Sequence, residues 1–178
     1  MTDGAARQRT GLYPGVVLTE DAVPGYRRAR HVGPLGTGEQ RFAEAGAAVL
    51  DWQIQRRSGA RVLADDGRGA HGRDAPPVTE GLRARLRVPM GLGIRIGAPV
   101  VVIRVLDEPD VAGFVYRARR GHPEHGEEAF LVHLDPTGAV TLEMRVLSQP
   151  AMPYRLAAPI ARLVQAFFTR RYLRALLD

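Results

Sequence analysis

A chain of 178 residues, 45% hydrophobic and 25% charged, is one ordinary domain's worth of sequence and excludes a fibrous or globally disordered protein. The absence of cysteine excludes a disulfide scaffold, a thiolate metal site and a cysteine nucleophile. All 25 basic residues are arginine and the net charge is +6. Such a charge raises an anionic partner, but the arginines are scattered in the sequence and aromatics make up 6%, which argues against nucleic acid.

Residues 1–11 read as a frayed tail and 12–178 as a single α+β domain. No apolar stretch follows the first charges, and the longest aliphatic run, near Ala98 to Ile103, is far too short to span a bilayer. The expectation is a cytoplasmic protein without a membrane span. Residues 12–36 are rich in Gly and Pro, with one short strand expected at Val16 to Thr19.

The first helix is expected from Gly38, with Thr37 as N-cap and Gln40 completing a capping box. Phe42, Ala45, Val49 and Trp52 form its apolar stripe. Arg56 and Arg57 suit its last turn, and Gly59 its C′ position. The run Gly33-Pro34-Leu35-Gly36-Thr37-Gly38 reads as a turn before that helix, since neither a lysine nor a strand makes it a phosphate loop.

A strand is expected over 60–65 and a polar loop over 66–77, with His71 exposed to solvent. From residue 80 the period becomes two. Leu82, Ala84, Leu86 and Val88 alternate with Arg83, Arg85 and Arg87. Further strands are expected at 99–106, 111–118, 127–134 and 140–146, with a tight turn at Asp135-Pro136-Thr137-Gly138. The C-terminal stretch predicts a long amphipathic helix from about Ala158, with Ile160, Leu163, Val164 and Phe167 facing the sheet.

The densest polar cluster is Gly121-His122-Pro123-Glu124-His125-Gly126-Glu127-Glu128. It supports three readings. Histidine and carboxylate could ligate a metal, but Pro123 and Gly126 imply a loop without a helical ligand spacing. His122, assisted by Glu124 or Glu127, could act as a general base. The acidic residues could instead pair with arginines. Strand alternation puts Glu128 on the same buried face as Phe130, Val132 and Leu134, where a carboxylate needs a partner. Arg171, on the last helix, is the expected partner, and Tyr116, Gln165 and Tyr172 are candidates to line the same space.

Four blocks together resemble the domain-of-unknown-function family nineteen-ninety. They are Pro24-Gly25-Tyr26; the Gly-rich lead-in with Phe42, Ala45, Leu50 and Trp52; GHPEHGEEAF at 121–130; and Ser148 to Pro150 followed by Pro159, Gln165 and Arg171-Tyr172. The chain departs from the family pattern at Tyr116-Arg117-Ala118-Arg119 and at Gln149. The resemblance implies a helix-grip fold, as in pollen allergens and START-type lipid carriers, and no agreed activity.

The expected fold class is therefore α+β: an antiparallel sheet of about six or seven strands packed under a long C-terminal helix, helix-grip-like. The expected function is binding of a small apolar or amphipathic molecule between sheet and helix. Glu128, Arg171, His122, Tyr172, Tyr116 and Gln165 are the candidate contacts. No metal and no cofactor are expected. The alternatives are a hydrolase or cyclase using His122 with Glu124 or Glu127, and an arginine-rich module for nucleic acid or an acidic partner.

Overall fold

The computed structural model describes residues 14–65, 73–91, 94–151 and 170–177. Its centre is a seven-stranded antiparallel sheet in the order β1-β7-β6-β5-β4-β3-β2. The strands are β1 (Arg27–Thr37), β2 (Arg61–Ala64), β3 (Arg83–Gly91), β4 (Ile94–Asp107), β5 (Val111–Ala118), β6 (Glu124–Leu134) and β7 (Ala139–Pro150). Helices α1 (Glu39–Leu50) and α2 (Gln53–Arg57) connect β1 to β2.

The period-two segments become β3 to β7 because each has one face to bury. Ala84 and Leu86 on β3, Phe114 and Tyr116 on β5, Phe130 and Val132 on β6, and Leu142 and Met144 on β7 all belong to one buried cluster. Helix α1 lies across β5 and β6 and closes this inner face with Ala45 and Val49. Gly46 allows the approach, since a Cβ there would stand 2.9 Å from that of Ala112.

Five aromatic rings run through the inner face. Trp52 meets Phe114 edge-on at 4.9 Å, Phe114 stacks on Phe130 at 5.6 Å, and Tyr172 meets Phe130 edge-on at 5.6 Å. Tyr116 lies 5.7 Å from Phe130. Such pairs add to the stabilisation from their buried area.

The expected cover is corrected. Among the described residues the layer on the sheet is α1 and α2, and the C-terminal end supplies only a short helical turn at 170–174. A sheet packed under a long C-terminal helix is thus not the observed architecture. Ile160, Leu163, Val164, Gln165 and Phe167 lie outside the described residues, as does His71. The end segment is held by polar contacts to helices: Arg57 Nη1 donates to the Ala175 carbonyl at 3.3 Å, and Arg41 donates to the carbonyl of Leu176.

Three local expectations change. Val16–Leu18 is a 3-10 turn, not a strand. Thr37 ends β1, so Gly38 is the N-cap and Gln40 bonds Glu44 within α1 instead of completing a capping box. The helix stripe breaks at Trp52, which adopts a left-handed φ of 62° and divides α1 from α2 while its ring stays buried.

The outer face of β5, β6 and β7 is also covered. Val16 and Val17 pack on Val115, Ala129, Leu131 and Leu147, forming a second, smaller cluster. Gly126 has φ 149° and leaves no room for a Cβ against the backbone of Leu147, which keeps β6 and β7 in close register. Among the described residues, no helix is long and apolar enough to cross a membrane.

Candidate functional site

Strand register brings Tyr116 on β5 directly opposite Glu128 on β6. Both side chains point to the inner face, one step beyond the Phe114–Phe130 pair. The Tyr116 hydroxyl donates to Glu128 Oε2. Beyond them the inner face opens into a small cleft of about 20 Å³, lined by Tyr116, Ala118, His122, Glu124, Glu128 and Ser148 among others.

Burial dominates the electrostatics of this cleft. It pushes the Glu128 carboxyl up to about 7; the Tyr116 hydrogen bond opposes the rise and the Glu124 charge adds to it. Glu124 is also raised by burial, against the Ser148 hydrogen bond and the Arg27 charge. The Tyr116 phenol is raised well above its ordinary value, first by burial and then by Glu128. Tyr172 is raised for the same two reasons.

His122 is pushed down to about 4, chiefly by burial, so it is neutral near pH 7. Its Nδ1 lies 2.8 Å from the Glu124 carbonyl oxygen and 3.0 Å from the Glu124 amide nitrogen. In either tautomer the main chain of Glu124 engages Nδ1, which leaves Nε2 as the ring's other polar atom. The contact between His122 and Glu124 therefore runs through backbone and not through the carboxylate.

Glu127 points the other way. Its side chain is fully buried under the N-terminal turn. Arg117 Nη2 lies 2.6 Å from Oε1 and Arg117 Nε 3.1 Å. The backbone amides of Gly15 and Val17 donate to its two oxygens at 3.3 and 3.2 Å. Four donors occupy this carboxylate, which is the arrangement of a structural anchor. Sequence pattern shows that Glu127 and Glu128 face opposite ways; it does not show that a 3-10 turn waits on the far side.

A second buried carboxylate occupies the outer face. Glu143 on β7 is 2% exposed. Arg30 and Arg145 bond its Oε1, and His133 Nε2 stands 2.8 Å from Oε2 without good hydrogen-bond alignment. Burial pushes this carboxyl up, but the two arginines outweigh it and hold it below its ordinary value. Asp65, also buried, accepts from Arg119 at 2.9 Å and lies 3.7 Å from Arg85. No sequence motif marks either carboxylate.

The remaining candidates divide. Tyr172 is buried against Phe130, within the electrostatic reach of Glu128. Arg171 is exposed, and its Nη2 lies 3.6 Å from where a Cβ on Gly59 would stand. Gln165 lies outside the described residues. The Tyr116 hydroxyl is thus a hydrogen-bond partner of Glu128, and on the C-terminal segment Tyr172 is the residue buried against the inner face. Among the described residues no group of three or more His, Asp or Glu could hold a metal ion.

Comparison with known proteins extends this description. The sequence model of a family described as a domain of unknown function (DUF1990) matches residues 12–175. A UPF0548 protein of Deinococcus radiodurans is 40% identical over 76 residues, which is 42% of this chain and 38% of that protein. The match thus spans well under half the length of that relative. A hypothetical protein of Helicobacter pylori has a similar fold, with a TM-score of 0.61 at 11% identity over 87% of this chain and 89% of that one. DynU16, from the dynemicin biosynthetic locus, aligns at a TM-score of 0.49 and 18% identity over 86% of this chain and 48% of that one. Likeness at such identities speaks to the fold alone.

Proposed function

The chain belongs to the DUF1990 family, and from that premise we propose that it binds a small, partly apolar molecule on the inner face of the sheet. The supporting observation is the Tyr116–Glu128 pair, which ends an aromatic row and opens on a cleft. Ligand sites are mostly apolar surfaces with a few polar groups that fix orientation. Here the rings of Phe130, Tyr116 and Tyr172 supply the apolar part. Glu128, His122 and the Tyr116 hydroxyl supply the polar part. The seven-stranded sheet with β1 beside β7 is compatible with a helix-grip-like arrangement, a fold expectation that suits such binding.

The cleft alone holds about 20 Å³, room for about one water and far below the roughly 300 Å³ of an ordinary ligand pocket, so on this reading it takes only a polar end group while the rest of the ligand lies outside it. Native mass spectrometry of the protein purified from its own host tests the proposal. A retained small molecule is expected, together with its loss in Glu128→Ala. A wild-type protein that carries nothing from its host, and whose Tyr116 and Phe130 resonances ignore a panel of small amphiphiles, overturns it.

A second reading has its own support. A carboxyl that titrates near pH 7 and shares a cleft with a neutral imidazole suits proton transfer. On that reading Glu128, in place of Glu124 or Glu127, works with His122 in a hydrolase or cyclase. Turnover of any ester or lactone that is abolished in Glu128→Gln and kept in Glu124→Gln favours it. Turnover unchanged in Glu128→Gln eliminates it.

A further inference from the structure

The cleft beside Glu128 has a simple origin in the sheet. Gly126 stands on β6 between Glu124 and Glu128, two residues from each, and carries no side chain. Its neighbours across the sheet are small as well. Ser148 faces it on β7, and on β5 Ala118 follows Arg117, the residue opposite Glu127. This short row leaves a gap in a face filled elsewhere by large side chains such as Phe114 and Phe130. Tyr116 and Glu128 wall one side of the gap, and His122 and Glu124 the other.

Size and charge select what enters. A space of about 20 Å³ accepts one heavy atom with its hydrogens. A carboxylate, a phosphate and a guanidinium are all too large, whereas a hydroxyl and a primary ammonium are each the size of a water.

Charge separates those two. Glu124 and Glu128 act on each other as like charges, which a cation between them relieves. No group in the walls already supplies that cation. His122 is neutral near pH 7, and burial keeps the Tyr116 and Tyr172 phenols protonated. Arg27, exposed on β1 opposite Ser148, acts on Glu124 from outside. A bare metal ion is the other compact cation, but among the described residues no three side chains are placed to hold one.

On the reading that this cleft takes the polar end of a ligand, we infer that the end is a primary ammonium and the ligand an amine with an apolar body, gripped by Glu128, Glu124 and Ser148. Three N–H donors meet three acceptors. They are the Glu128 oxygen that Tyr116 leaves free, the Glu124 carboxylate, and the Ser148 hydroxyl, which bonds Glu124 and keeps a lone pair. Below about pH 7 the ammonium must displace the Glu128 proton to solvent, so binding strengthens as the pH rises.

Four octyl probes share a tail and differ at the end: octylamine, octan-1-ol, octanoate and octyltrimethylammonium. Calorimetry and the amide resonances of Gly126 and Ser148 compare them on the full chain. At pH 8 octylamine should bind about tenfold more tightly than octanol, the margin of charge-assisted over neutral hydrogen bonds. Octanoate, by charge and size, and octyltrimethylammonium, by size, should leave the Gly126 resonance in place. Octylamine affinity should rise about tenfold from pH 6 to pH 8, while octanol affinity should not rise. Glu128→Gln should bring octylamine down to octanol and flatten its pH dependence. Ala118→Leu, which fills the gap at unchanged charge, should weaken octylamine at least as much, and circular dichroism checks that both variants are folded. Octanol or octanoate matching octylamine at Gly126 overturns the amine and leaves the binding reading standing. Octyltrimethylammonium matching it does the same, since the attraction would then lie outside the gap. Silence from all four overturns this inference, and the molecule retained by the host-purified protein judges the broader reading separately.

Discussion

The Tyr116 hydroxyl faces Glu128 across the β5–β6 ladder and donates to its carboxyl, at the boundary between an aromatic core and an open cleft. The hydrogen bond favours the charged carboxylate, whereas burial and the nearby Glu124 favour the acid. Tyr116→Phe should therefore move the Glu128 titration above 7, and Glu124→Gln should move it below. Carbonyl-region infrared difference spectra across pH 5–9 measure both shifts. Movement of both variants in the same direction would contradict this balance.

Glu128 and His122 pull stability in opposite directions with pH. Between an ordinary 4.5 and a folded value of about 7, native Glu128 keeps a proton that the unfolded chain has lost, so raising the pH destabilises the fold. Between an ordinary 6.5 and a folded value of about 4, the unfolded chain holds a proton that native His122 refuses, so lowering the pH destabilises it. Glu128→Gln should remove the first slope and gain on the order of 3 kcal/mol over wild type at pH 8. His122→Gln should remove the second and gain relative to wild type at pH 4.5. Urea unfolding at both pH values reads each effect.

Glu127 should behave unlike its neighbour. Glu127→Ala leaves Arg117 and the amides of Gly15 and Val17 without their acceptor, at a cost of about 3–5 kcal/mol. Hydrogen exchange at Gly15 and Val17 should accelerate in the variant more than exchange in β5. Stability within 1 kcal/mol of wild type would mean that the anchor is not needed.

Helix α2 and its C-cap bury two polar side chains. Gln55 is 0% and Ser58 1% exposed, and among the described residues Gln55 Oε1, Gln55 Nε2 and Ser58 Oγ have no hydrogen-bond partner. Each such group costs about 1–3 kcal/mol. Gln55→Met, close in volume and without the amide, should therefore raise the thermal midpoint by several degrees. A lowered midpoint would mean that the amide has a bonding role in solution.

Strands β3, β6 and β7 are legible in the sequence from their alternation, and β4 and β5 as short apolar runs bounded by turns. Strand β1 is not, for a physical reason. Among the described residues it pairs with β7 alone, at the end of the sheet, where it tolerates Gly33, Pro34 and Gly36, with a bulge between Pro34 and Gly36. Those residues read as a turn. Helix α1 is legible from Ala45 and Val49, but the sharp bend at Trp52 leaves no trace in an apolar stripe.

For the site, alternation correctly separates Glu128 from Glu127. It cannot supply the partner, because cross-strand register is set by turns and bulges far from either residue. Alternation alone therefore does not point to the tyrosine on the adjacent strand that donates to Glu128. On the C-terminal segment Tyr172 is buried and Arg171 exposed.

The N-terminal turn carries a practical consequence for anyone dissecting this domain. A chain shortened to begin at Arg27, where regular structure starts, would appear to lose only coil. It would in fact strip Val16 and Val17 from the outer cluster and uncover the Glu127–Arg117 pair to water on one side. It would also leave Arg28 and Arg145 without the carbonyls of Val16, Val17 and Leu18. The smallest autonomous unit therefore includes Gly15, and a soluble fragment that starts later would be a different folding problem from the one the native chain solves.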